Sequence, residues 1–593
     1  MLPIIGLIIT LVLLIIVFTW RLFTNVNPDD TLGTWYEGGR SGERITADKY
    51  QRQVLSDYKH LRPSKNRIPY SEFCYPRKFK VQPQQQLAGD YMRPSNISHG
   101  SDSLLVIHKI GAGKTCLSIQ IGLKWLKKGK PLYVMPASLI PGFRGELRSP
   151  CAGNTYLTAE ERAELQQLTP GSPEHSSIIA KSDARINRDF TIMSYNKFAE
   201  LAGKNMSKLD APILIVDELQ NINTPGGKYY GAVKKWTERF TSPIVLMSAT
   251  PLFDSTDEIH GIATLMRIEP PDGGKWGGIS DRGGLNVITP DDIKKLFAGK
   301  VSYFEGAPDY TFPDVMVKVK KCPMSQHQAK WYHATVEAEM KKSGDIRLRE
   351  VADSFYIKSR QRSNVVYPKG LTGQTGLNLL TDGIIRSSLD TYSAKYAVLT
   401  RKLLRSHGPE SLSFVYTGFT GAGGIAALTK CLRAVGYKNY LTDGPGKRRY
   451  VVWSGEETLR EKAIIKDVFN SPANDDASQI QVVIGSSAIK EGVSLMRVRT
   501  VHVLETYWNH SRLDQIIGRA VRYCSHKSLP ARDRSVLVYI YASTAGKLSK
   551  LPTPMESIDL YMLDIADKKR DDIEPYMEAF ATVAIDKFVH YPE

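Results

Sequence analysis

Residues 103–121 run SLLVIH, then KIGAGKT, then CLSIQI. An apolar run, a glycine turn and a helical pattern in that order leave a chain few folds to choose from. Glycines at 111 and 113 let the backbone wrap closely around an anion, and the N–H groups of the following helix point at it. In such a loop Gly111, Gly113, Lys114 and Thr115 hold the phosphates of ATP. Lys114 reaches the β- and γ-phosphates and the Thr115 hydroxyl ligates Mg2+. The eight-residue form of this pattern opens with glycine, where this chain has His108.

Such a loop needs a parallel sheet around it, and the sequence supplies candidates. SLLVIH at 103–108, PLYVMP at 131–136, FTIMSY at 190–195, PILIVD at 212–217 and PIVLMS at 243–248 alternate with helical patterns. Continuous apolar runs between helices are what a sheet covered on both faces requires. A second series follows: LSFVYT at 412–417, RYVVWS at 449–454, IQVVIGS at 480–486, TVHVLE at 500–505 and VLVYIYA at 536–542. The expected fold is α/β, with two tandem RecA-like parallel-sheet lobes at 76–268 and 392–551. A loop and helical insertion would occupy 269–391, and a helical tail 552–593.

Three further segments carry chemistry. PILIVDELQN ends an apolar strand on Asp217 and Glu218. At the carboxyl edge of the sheet Asp217 can hold Mg2+, and Glu218 can orient the attacking water. MSATP at 247–251 places small hydroxyl residues where they can hydrogen-bond that acidic pair. QIIGRAVR at 515–522 sets Gln515, Arg519 and Arg522 four and three residues apart, hence on one face if the segment is helical. Charge spread over γ-phosphate oxygens calls for such arginines from the second lobe.

The remaining composition concerns partners. The formal net charge of +18 favours a polyanion, either nucleic acid or an anionic membrane surface. Six cysteines are scattered without close pairing or zinc-type spacing, so a disulfide framework is not expected and a reducing compartment is. Met1 to Trp20 carries no charged side chain. At 1.5 Å per residue this reaches roughly 28–30 Å, one bilayer core, and Trp20 and Arg21 suit an interfacial anchor. Residues 1–22 are therefore expected to be a transmembrane helix with the rest of the chain on the cytosolic side. Residues 23–75 are expected to be a tether and N-terminal extension.

With these residues in view the chain resembles the superfamily 2 helicases of nucleocytoplasmic large DNA viruses. More narrowly, it is similar to the poxvirus nucleoside triphosphate phosphohydrolase I and early transcription factor small-subunit type. KVSYFEG at 300–306, RQRSNVVYP at 360–368, QIIGRAVRYCSHKSLP at 515–530 and AIDKF at 584–588 carry the likeness beyond the shared motor motifs. The resemblance implies ATP hydrolysis coupled to movement along DNA or RNA, with the nucleic-acid backbone as track. It matches Gln85, flanked by Gln84 and Gln86, to the glutamine that reads adenine. PASLIPGFRGEL at 136–147 would touch nucleic-acid backbone, VYTGF at 415–419 would be the fourth motif, and Glu491 and Gly492 would couple nucleotide to strand. Gln220 stands where many members have histidine, which implies altered coupling. The resemblance also implies viral transcription machinery as a partner and a setting in host cytoplasm or virion. The contrasting expectation is a membrane-anchored structural virion protein that keeps the fold without the activity; the presence of every motor residue named above weighs against it.

Overall fold

The computed structural model describes residues 58–61, 68–76, 78–99, 102–109, 111–169, 171–270, 288–342, 356–406, 411–490, 493–546 and 556–589. The expected anchor at 1–22, most of the expected tether at 23–75, Glu491 and Gly492 lie outside them. Among the described residues no helix is long and apolar enough to cross a membrane.

Two parallel sheets organise the chain. The first contains β1 (Ser103–His108), β2 (Leu132–Met135), β3 (Thr191–Ser194), β4 (Leu214–Asp217), β5 (Ile244–Ser248) and β6 (Val301–Phe304), in the order β3-β2-β4-β5-β1-β6. Four short helices around it matter below: α1 (Tyr70–Cys74), α2 (Pro83–Tyr91), α3 (Lys114–Trp125) and α4 (Ile140–Leu147). One core packs on each face of this sheet, centred on Leu105, Val134 and Leu246 on one side and on Val106, Tyr133 and Val245 on the other. Successive side chains of a strand point to opposite faces, so a strand buried on both must be apolar throughout. That is why these runs read so plainly.

The second sheet contains β7 (Asp314–Pro323), β8 (Ser413–Tyr416), β9 (Lys438–Asn439), β10 (Arg449–Trp453), β11 (Val482–Gly485), β12 (Thr500–Val503) and β13 (Ser535–Thr544). Its order is β7-β13-β12-β8-β11-β10-β9, again with a core on each face. Helices α5 (Ile357–Asn364), α6 (His510–Ile517) and α7 (Ile558–Thr582) complete the set used here.

All ten expected strands are present, but the segment expected as an insertion at 269–391 is divided. β6 joins the edge of the first sheet and β7 the edge of the second. VSYF is too short to announce itself, and the lysines of β7 break up its apolar pattern. The expected tail is a strap. The start of α7 buries Ile558, Tyr561 and Met562 in the second lobe, while Ala579 and Phe580 at its end lie in the core of the first. Beyond it, Ile585 donates its N–H to the Val301 carbonyl on β6 (2.9 Å).

Buried polar groups tie together several of the segments that carry the family likeness. Ser302 of β6 contacts His108 Nε2 (2.8 Å) and donates to Asp586 (2.5 Å), and all three are fully buried. This joins KVSYFEG, the strand before the phosphate loop and AIDKF. In the second lobe Lys395 pairs with Asp559 (2.9 Å) at the start of α7 and donates to the Leu504 carbonyl (2.6 Å). Asn364 of RQRSNVVYP donates to the Gly423 carbonyl (3.0 Å) and to Glu505. Glu505 accepts from Thr417 Oγ1 and the Gly418 N–H, each at 2.7 Å. Burial pushes the Glu505 carboxyl above the usual range.

The cysteines overturn the expectation of an unpaired, reduced set. Cys74 is bonded to Cys524, 450 residues away, and Cys116 to Cys151, 35 residues away. Cys322 and Cys431 are free and buried. Sequence spacing could not reveal pairs that only the folded lobes bring together.

Candidate active site

The carboxyl ends of β4, β5 and β1 lie side by side, and each is followed by one of the segments singled out above. Crevices at these strand ends are where open α/β sheets bind ligands. After β1, Gly111 (φ +87°) and Gly113 (φ +79°) both adopt left-handed backbone. Gly113 is the N-cap of α3, and a Cβ there would lie 2.3 Å from Gln85 Nε2. Gln85 on α2 donates to the Gly113 carbonyl (3.1 Å) and accepts the Gln82 N–H (2.9 Å). Gln84 reaches the Ala112 carbonyl (3.4 Å), whereas Gln86 is exposed. Two glutamines therefore brace the loop from below. Thr115 opens α3 directly beyond Lys114.

β4 delivers the acidic pair. Glu218 has φ +57°, a left-handed conformation uncommon outside glycine and typical of strained functional turns. The Tyr195 hydroxyl donates to the carbonyls of Asp217 and Glu218, the latter at 3.1 Å, and so holds that turn. Asp217 Oδ1 accepts the Glu218 N–H (2.9 Å). Lys114 Nζ lies 3.8 Å from Glu218 Oε1. The other Glu218 oxygen accepts from Gln220 Nε2 (2.6 Å), Gln220 Oε1 accepts from Ser248 Oγ (2.6 Å), and Ser248 Oγ accepts the Thr250 N–H (2.9 Å). A continuous polar relay thus runs from the phosphate-loop lysine to the MSATP turn. Tyr195 was not singled out in the sequence; its one signal is its place just past β3.

The second lobe closes on this site. α6 ends at Ile517, and the N–H groups of Ala520 (3.0 Å) and Val521 (2.9 Å) both fold back to its carbonyl. Arg519 and Arg522 consequently stand on turns beyond the helix, which corrects the expected common helical face with Gln515. Arg519 is 6 % exposed, with Nε on the Gln515 carbonyl (3.1 Å) and a second nitrogen on that of Val493 (3.4 Å). Arg522 contacts Ser494 Oγ, and burial lowers its pKa from the usual guanidinium value. Among the described residues no carboxylate pairs with it. Its neighbour Tyr523 sits over the loop: a Cβ on Gly111 would lie 3.7 Å from that of Tyr523. The Tyr523 hydroxyl bonds the Phe73 carbonyl on α1 (2.5 Å), and the next residue is the disulfide-bonded Cys524.

Elsewhere the expected contact segments are arranged more simply. On α4, Gly142 and Gly145 face open space, while Arg144 is tied to Asp183 (2.8 Å) and Asn187 (2.7 Å). That segment offers close approach to its backbone. In VYTGF, Thr417 and Gly418 serve Glu505, as described above. Arg360 is 4 % exposed within a cage of Phe419, Tyr507 and Trp508 rings 5.2 to 5.6 Å away.

A phosphate loop, an acidic strand end and a second parallel lobe closing over both define an NTP-hydrolysing enzyme of the superfamily 2 helicase class. Comparison with known proteins agrees. Residues 428–524 match the Helicase conserved C-terminal domain. A protein of Acanthamoeba polyphaga mimivirus, named for ATP-dependent RNA helicase activity, is 39% identical over 497 residues, covering 81% of this chain and 86% of that one. A helicase of Invertebrate iridescent virus 3 is 25% identical over 557 residues, 85% of this chain and 53% of its own length. A termination factor NPH-I homolog of African swine fever virus is 22% identical over 579 residues, covering 85% and 78%. The chain belongs to this family of viral superfamily 2 helicases, and ATP use follows from that membership.

Proposed function

We propose that this chain is an ATP-driven helicase or translocase on nucleic acid that serves viral transcription or genome handling. The observation that carries the reading is the relay Lys114–Glu218–Gln220–Ser248, with the half-buried Arg522 adjoining Tyr523 over the phosphate loop; among the described residues no carboxylate pairs with Arg522. A guanidinium kept from water beside a phosphate loop is poised for an anion that arrives with the nucleotide. Lys114 would meet the β- and γ-phosphates, Glu218 would orient water, and Arg522 would approach the γ-phosphate from the second lobe. Arg519, held by two carbonyls, would steady that turn. The Thr115 hydroxyl and Asp217 carboxylate are hard oxygen donors that suit Mg2+, which when bound draws charge from the phosphates.

The net charge of +18 supports a DNA or RNA backbone as track, read with little sequence preference. The mimivirus relative is named for RNA and the African swine fever virus relative for termination, which favours a role with the transcription machinery. Residues 1–22 would hold the motor at a membrane, on the cytosolic side, in host cytoplasm or virion. Carbonate extraction of the full chain should leave it in the membrane pellet, and release to the supernatant would refute the anchor.

The test of function is ATP hydrolysis by a chain lacking residues 1–22, with and without single-stranded DNA or RNA. Turnover stimulated by either is expected; hydrolysis indifferent to both would count against the motor. Glu218→Gln should keep nucleotide binding and lose turnover by on the order of a hundred-fold, the scale of a general base. Normal turnover in that variant would remove Glu218 from the mechanism.

A further inference from the structure

β7 leaves a long edge open. It pairs in parallel with β13 along all ten of its residues, and among the described residues no strand pairs with its other side. Flanking bonds fix the direction of its backbone groups. Asp314 N–H donates to Arg534 O and Met324 N–H to Thr544 O, each at 2.8 Å, so even-numbered residues face β13. Backbone groups alternate sides along a strand, and those of Val315, Val317, Val319 and Lys321 therefore face outward.

The side chains are as unusual as the edge. Residues 314–321 are all exposed. Val315, Met316, Val317 and Val319 are 43, 56, 53 and 49 % exposed, a cluster of large apolar groups on one short run. By strand alternation the three valines share one face, while Lys318 and Lys320 stand on the other. Open edges of this length invite an added strand, and soluble proteins ordinarily shorten, bend or cover them. Here lysines alone stand guard, and lysines discourage a second copy of the same edge while attracting carboxylates. Lys321 already holds Glu556 of this chain at 2.9 Å.

We propose that the β7 edge docks an extended segment of a partner protein as an eighth strand. The segment that fits alternates apolar and acidic residues, placing apolar groups over Val315, Val317 and Val319 and carboxylates against Lys318 and Lys320. Main-chain bonds supply affinity in such strand addition, and alternate side chains supply choice. A phosphate backbone would use the lysines and leave the valines and the outward ladder idle, so a protein strand is the better occupant. β7 continues directly from Thr311 and Phe312, which touch Cys524 and Tyr523 beside the phosphate loop. A strand added here is anchored next to the crossing between the lobes.

The test uses the full chain and a fluorescein-labelled ten-residue peptide of alternating valine and glutamate, read by fluorescence anisotropy. Val317→Pro removes an outward N–H while the bonds to β13, made by even-numbered residues, remain. It should weaken binding at least ~10-fold, the loss of a central main-chain bond and its register. Lys318→Glu with Lys320→Glu, both exposed, should abolish binding of that peptide and create binding of its valine–lysine counterpart. Both variants should hydrolyse ATP at the unaltered basal rate. Absence of saturable binding to the unaltered chain, or equal binding to either variant, would overturn the proposal. So would loss of single-stranded oligonucleotide binding in the charge-reversed chain with peptide binding intact.

Discussion

Gln220 shows how much one side chain can join. Its amide spans Glu218 and Ser248, and so joins the Glu218 carboxylate to the turn after β5. Gln220→Ala removes a hydrogen bond to a charged group, about 1.5 kcal/mol, and should slow turnover on the order of ten-fold with KM little changed. Gln220→His should recover part of the rate, since imidazole can also bridge; steady-state kinetics on the three chains decide. A second residue sets acid sensitivity. His502 stacks on Tyr539 with rings 5.5 Å apart, and burial with Lys402 nearby pushes it down from 6.5 to about 3. As pH falls below 6.5 the unfolded chain takes up this proton and the native one does not, until about 3, so stability drops through that window. Glu258, pushed up to about 8 by burial, works in the opposite sense above 4.5. The difference between His502→Gln and the unaltered chain isolates the histidine: urea midpoints should fall less steeply with acid in the variant. Of these residues the motif positions were legible in the sequence, because nucleotide chemistry restricts type and spacing together. Tyr195 was not, since its role rests on two carbonyls that no sequence pattern marks.

Elements divide the same way. The ten expected strands could be read directly: all but the half-buried edge strand β3 are largely covered, which leaves little polar pattern to blur them. β7 and β9 are edge strands with little cover, whereas β6 is a buried edge strand of only four residues with Ser302 inside it, and their sequences blend into their surroundings. α7 was legible as a helix but not as a strap, since helical periodicity shows that a face is buried without showing against what. Its two ends are sunk in different lobes, with Phe580 against Phe297 at 5.1 Å. Phe580→Ala should cost about 3–5 kcal/mol, the usual range for a fully buried aromatic. The loss should fall on the first lobe, so denaturation followed by two probes, one in each lobe, should separate into two transitions. A single coincident transition would show that α7 does not couple the lobes in this way.

At the scale of the whole molecule, the lobes meet through the closed cleft, through α7 and through the bond between Cys74 and Cys524. Reduction should lower the melting temperature by several degrees, consistent with about 2–4 kcal/mol for a cross-link over a long loop. Cys524→Ser should lower the melting temperature of the oxidised chain by that amount, leaving only the contribution of Cys116–Cys151 for reductant to remove; an oxidised variant that melts with the unaltered chain would show the bond to be energetically idle. The same bond has a mechanical meaning. It turns the chain into a covalent ring with two tails, and every strand but β13 lies inside the ring. A force applied at the two ends first strips β13 and α7 from the lobes and then runs across the sulfurs, leaving the chain between them unloaded. Held in optical tweezers, the oxidised molecule should lengthen only by its tails, however hard it is pulled short of breaking the bond. Reductant should release the 450-residue interval, adding about 1,500–1,600 Å of contour at ~3.3–3.6 Å per residue.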